Sequence, residues 1–142
     1  MGHSLCEVIC DLWLGDINGV MTSDLVRRGT LFVSVCRSDA STYRVFVRDI
    51  LDRLVVINSL SKQVCEICLR IDSELRGGGT VIIFCEFGHQ RSPSLVASYL
   101  IRHAGMTAPA ATACIKSKAT FALHDECVYG NLLKELEGRG NM

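Results

Sequence analysis

Residues 80–103 read TVIIFCEFGHQRSPSLVASYLIRH, and three kinds of chain follow one another within them. Val81 to Phe84 is an apolar run with β-branched residues, the composition of a short buried strand. Leu95, Val96, Tyr99, Leu100 and His103 recur at helical spacing. Between strand and helix lies a polar turn that opens with Cys85 and closes with Arg91. Gly88 suits its middle, where unusual φ or close backbone approach is needed. Ser92 fits the helix N-cap and Pro93 the first helical position. A loop of this length turns its N–H groups inward and, with the helix dipole, makes a site for an oxyanion. Arg91 adds a planar fork of donors suited to two phosphate oxygens. The field that binds phosphate also stabilises a thiolate at Cys85, beneath the phosphoryl group and in line for attack.

The rest of the chain reads as one domain, residues 1–142. ICDLWLGD is a strand or strand pair with its turn at Gly15–Asp16, and SDLVRRG is a short helix. TLFVSVC and YRVFVRD are strands, joined by a polar turn, and ILDRLVVINS is an apolar connection. LSKQVCEICLRIDSEL is a long helix ended by Arg76 and three glycines. Gly105 ends the LVASYLI helix, Thr107 caps TAPAATACIKSK, and DECVYGNLLKELEG is the last helix. The order predicts an α/β fold: a small, largely parallel central sheet flanked by helices on both faces.

Composition bounds the function. Lys plus Arg and Asp plus Glu are 15 each, which gives no sign of a nucleic-acid surface. No apolar run approaches a membrane span, so no stable membrane insertion is expected. LCEVICDLWLGD is interrupted by Glu7 and Asp11 and does not read as an export signal. A myristoylation signal would want Ser or Thr where Cys6 stands. Eight cysteines, several inside apolar segments, then read as reduced thiols in a cytoplasmic or also nuclear protein. Cys65-x-x-Cys68 lies in a helical pattern without a second ligand pair, so packing accounts for it better than zinc.

Cys85-x-x-Gly88-x-x-Arg91-Ser92 resembles the signature of the cysteine-dependent protein tyrosine phosphatases. RSPSLVASYLI is most similar to the small (atypical) dual-specificity subgroup, as are LWLGD, VFVRD and the order of the later helices. The resemblance implies a protein tyrosine phosphatase-like fold and hydrolysis of phosphotyrosine, with or without phosphoserine and phosphothreonine, in a phosphorylated protein. It implies that Cys85 forms a cysteinyl-phosphate and that Arg91 and the loop Glu86, Phe87, Gly88, His89 and Gln90 hold the phosphate oxygens. Asp49 is the implied general acid and Ser92 stabilises the thiolate as it leaves; no cofactor or metal is implied. Asp49 lies 36 residues before Cys85 and Asp52 lies 33 before it. Asp49 is preferred because it ends VFVRD.

Two positions depart from the pattern. Phe84 stands where the family usually has histidine, and Gln90 replaces a small hydroxyl residue. Both predict a slower enzyme or a less acidic thiol. The alternative function is a weakly active or inactive phosphate-binding module. Glu86 and the absence of lysine in the loop disfavour inositol lipids, and the balanced charge disfavours RNA 5′ ends. Cys36 ends TLFVSVC and reads as a buried core thiol; the resemblance raises a reversible disulfide with Cys85 as the other reading.

Overall fold

The apolar runs become the strands of one sheet in a computed structural model whose described residues are 5–16, 19–20, 30–35, 53–57, 59–85 and 91–119. They are β1 (Leu5–Ile9), β2 (Leu12–Asp16), β3 (Leu31–Ser34), β4 (Leu54–Val56) and β5 (Val81–Cys85), in the order β1-β2-β5-β3-β4. β1 pairs antiparallel with β2, and every other pairing is parallel. β5 is central and all five of its residues are buried. A strand covered on both faces needs an unbroken apolar run, and Val-Ile-Ile-Phe supplies it.

Among the described residues run the helices α1 (Leu60–Arg76), α2 (Arg91–His103) and α3 (Ala108–Lys118). Residues of all three pack in one cluster with Leu12, Leu14, Leu31, Val33, Val81 and Ile83. The alternate residues Phe32, Ile82 and Phe84 form a second cluster with Val20, which has helical backbone, and with Leu5, Trp13 and Leu54 at its edge. Helical residues thus meet both faces of a largely parallel sheet, as the sequence predicts. Burying each large side chain stabilises the fold by about 1.5–3 kcal/mol relative to exposure. α2 runs deepest: Ser92 to Ile101 are all buried, because α1 and α3 both pack against it as the sheet does.

The helix ends were written in the sequence. α1 stops in a Schellman arrangement, with Gly79 N–H donating to Glu74 O and Gly78 N–H to Leu75 O. Gly78 has φ +85°, a conformation that disfavours other residues. Thr107 caps α3, its Oγ1 accepting from Ala110 N–H at 3.2 Å.

Three readings need correction. The hairpin turn is at Cys10–Asp11, where Asp11 adopts φ +66°; Gly15 and Asp16 continue β2. Aspartate tolerates that conformation better than most residues, and the glycine signal was local to a strand. The apolar connection contains the edge strand β4, whose Leu-Val-Val run had no room for visible alternation. α2 begins at Arg91, so Ser92 lies in its first turn and not at its cap. The expected strand YRVFVRD and the first and last expected helices, 23–29 and 125–138, lie outside the described residues.

Candidate active site

Parallel strands bring their carboxyl ends to one edge, and in open α/β sheets ligands bind outside that edge. Here β2, β5 and β3 end side by side with Asp16, Cys85 and Ser34. Asp16 and Cys85 are register partners in the β2–β5 ladder, and Ser34 is paired with Phe84 in the β3–β5 ladder. The three polar residues are nearly inaccessible: 5% for Asp16, 4% for Cys85 and 0% for Ser34.

α2 returns Arg91 and Ser92 to this edge. The Cys85 Sγ lies 3.1 Å from the Ser92 Oγ in a buried contact in which either atom can donate. This explains why Ser92 does not cap: its hydroxyl is committed to the sulfur. Ser92 is fully buried and Arg91 half-buried. The thiol thus sits at the start of a helix, against a buried hydroxyl. The preceding Phe84 is 0% exposed within the second core cluster, so it serves the core.

The structure therefore brings Cys85 together with Ser92, which follows Arg91 in the first turn of α2. Glu86, Phe87, Gly88, His89 and Gln90 lie outside the described residues, as do Asp49, Asp52 and Cys36. Arg53, next after Asp52, is described: it is paired with Glu74 of α1 at the amino end of β4. Sequence reasoning missed Asp16. Its Oδ1 accepts from Gly19 N–H at 2.7 Å, and the Asp-x-x-Gly spacing was the local signal for that bond. Cys68 is fully buried in the main core, as packing predicted, and burial pushes its thiol up to about 12. Glu7, Cys10 and Asp11 meet at the exposed hairpin, where Asp11 N–H donates to Glu7 Oε2 at 2.9 Å.

Solved structures of similar shape include dual-specificity and tyrosine phosphatases. No family model matches the chain. In sequence, it is 32% identical over 50 residues to human dual-specificity phosphatase 28, a stretch that is 35% of this chain. The chain spans only 28% of the length of that curated relative. In structure, the crystal structure of human dual-specificity phosphatase 28 superposes with a TM-score of 0.79 at 21% identity, covering 98% of this chain and 96% of the other. The human tyrosine phosphatase-like serine/threonine/tyrosine-interacting protein gives 0.79 at 20% identity, with 99% of both chains covered. The PTP-2 phosphatase of Cydia pomonella gives 0.74 at 17% identity, over 94% of this chain and 89% of the other. The central cysteine-ended strand, its flanking parallel strands and the helix that follows are thus the dual-specificity fold of the cysteine-dependent protein tyrosine phosphatases.

Proposed function

We propose that this chain is a phosphoprotein phosphatase that cleaves phosphate monoesters through a cysteinyl-phosphate, on phosphotyrosine and also phosphoserine or phosphothreonine. The observation that carries the reading is the buried 3.1 Å contact between Cys85 Sγ and Ser92 Oγ at the junction of β5 and α2. In the first step the Cys85 thiolate attacks phosphorus and the ester oxygen leaves with a proton from Asp49. Arg91 and the amides of residues 86–91 take the charge of the transferring group. In the second step Asp49, now a carboxylate, takes a proton from water as its oxygen attacks the cysteinyl-phosphate, the S–P bond breaks, and Ser92 stabilises the departing thiolate.

Asp49 is taken as the acid over Asp52 because it ends VFVRD, as the acid does in the family the sequence resembles.

A second reading is a phosphate-binding module with little turnover. It is favoured by the carboxyl end of β4, where Ile57, Asn58 and Ser59 lead into α1 without a carboxylate. The all-core role of Phe84 favours it too, since phenylalanine offers the thiol no hydrogen bond. Hydrolysis of an aryl phosphate under reducing conditions, wild type against Cys85→Ser, separates the two. Turnover that vanishes in the variant supports the enzyme. A wild type without turnover that still binds vanadate supports the module.

A further inference from the structure

Asp16 pairs with Cys85 across the β2–β5 ladder, and Val20 shares a buried cluster with it. Asp16 is the register partner of Cys85, so the two side chains leave the sheet on the same side, on strands about 4.8 Å apart. The Asp16 carboxylate is buried and accepts from Gly19 N–H at 2.7 Å, three residues on, in the manner of a helix N-cap. The next residue, Val20, is 0% exposed and belongs to the cluster of Phe32, Ile82, Phe84 and Cys85 itself. The hydrogen bond therefore fixes the backbone immediately before the side chain that packs in the cysteine's own cluster. Cys85, at 4% exposure, is itself a member of that cluster.

We infer that Asp16 is a positioning residue for the nucleophile: by holding Gly19 it clips Val20 against Cys85 and so sets the direction and cover of the sulfur. The inference rests on the proposed role of Cys85. In this role Asp16 acts as a hydrogen-bond acceptor. An asparagine keeps the acceptor and is as good a cap, while an alanine removes it. Val20→Ala trims the clipped side chain and leaves the clip.

The test is the rate of Cys85 alkylation by iodoacetamide, site-mapped by mass spectrometry, with Cys68 as internal reference. Cys68 is fully buried in the other cluster and reports general loosening of the fold. Asp16→Ala is expected to raise the Cys85 rate about fivefold, the factor carried by loss of a helix cap, with the Cys68 rate unchanged. Val20→Ala is expected to do the same, and Asp16→Asn to stay within about twofold of wild type. An Asn variant as fast as Ala would mean that charge is what acts and would overturn the inference. So would a parallel rise at Cys68, or no change in either Asp16→Ala or Val20→Ala. Should Asp16→Ala not fold, Asp16→Asn and Val20→Ala still decide. Alkylation needs no turnover, so a wild type inert on aryl phosphate would remove the proposed function and leave this measurement readable.

Discussion

A buried thiol lies near each end of α2, Cys85 of β5 and Cys68 of α1, and they differ in what the sulfur meets. At the amino end, Cys85 has the Ser92 hydroxyl at 3.1 Å and the backbone of a helix start beside it. At the carboxyl end, Cys68 of α1 faces the pull of Arg102, yet burial wins and pushes the thiol up to about 12. The polar groups there attend to one another. Asp72 accepts from Tyr99 OH at 2.9 Å and from Arg76 Nε at 2.6 Å, and His103 stacks on Tyr99 with centroids 5.2 Å apart. Similar burial at two sites thus serves different ends. The desolvated Cys68 thiol stays protonated, whereas Cys85 has a hydroxyl partner at the start of a helix.

The largest effect should separate the two cysteines. Cys85→Ser is expected to lower kcat on an aryl phosphate by at least about 10³-fold, since removal of a nucleophile takes nearly all the covalent catalysis with it. Cys68→Ser is expected to leave kcat within about twofold and to cost about 1–3 kcal/mol of stability by burying a hydroxyl in an apolar site. Chemical denaturation beside steady-state kinetics checks both. A Cys68 variant that loses turnover without losing stability would break the contrast.

Next in size is the acid. Asp49→Asn should slow poor leaving groups by about 10²-fold or more and a nitrophenyl ester much less, because only the poor leaving group needs the proton. Asp52→Asn should change either by less than about threefold. A larger effect at Asp52 would reverse the assignment.

What the sequence showed of this site depended on how local each signal was. Cys85, Gly88, Arg91 and Ser92 sit within one loop, so their spacing alone predicted an oxyanion site, and the structure unites Cys85 with Ser92. The continuous apolar run of β5 announced a strand buried on both faces, and Gly78 and Thr107 announced helix ends. The Asp-x-x-Gly spacing announced the bond from Asp16 to Gly19, but the pairing of Asp16 with Cys85, 69 residues away, leaves no local trace. β4 was missed because three apolar residues at a sheet edge look the same as a loop that crosses a core. Ser92 was read as a cap since cap and first-turn positions favour similar residues; only the sulfur's position tells them apart.

Ser92 sharpens the contrast at the amino end. Ser92→Ala removes the hydroxyl donor from the sulfur, and a hydrogen bond to a charged group is worth about 1.5–3 kcal/mol. The loss should fall on the second step, where the thiolate is released, and slow it by about 10- to 100-fold. Rapid-mixing kinetics with an aryl phosphate should then show a burst of phenol followed by a slow steady state. An equal fall in the burst and steady phases would place Ser92 in attack instead of release.

The smallest effect lies at the carboxyl end and belongs to stability alone. Burial lowers the pKa of His103 from its ordinary 6.5, aided by Arg102 and Arg76, while Asp72, with Oδ2 at 3.8 Å from Nδ1, pulls the other way and loses. The folded protein therefore holds His103 neutral more firmly than the unfolded chain does. Above pH 6.5 both states are neutral and the residue has no pH effect. As pH falls through 6.5 the unfolded chain takes the proton first, so stability drops until the lower folded value is passed. Asp72 acts in a separate window. Its carboxyl is held below 3.8, chiefly by Arg76, so its contribution is present above that value and lost as pH falls beneath it. His103→Gln should remove only the first loss, shrinking the fall in Tm between pH 7.5 and 5.5 by about 1–2 °C. Turnover measured at saturating substrate should keep its wild-type pH profile in that variant, because His103 stands at the far end of a 13-residue helix from Cys85. A profile that moves with His103 would join the two ends of α2 and undo the separation between them.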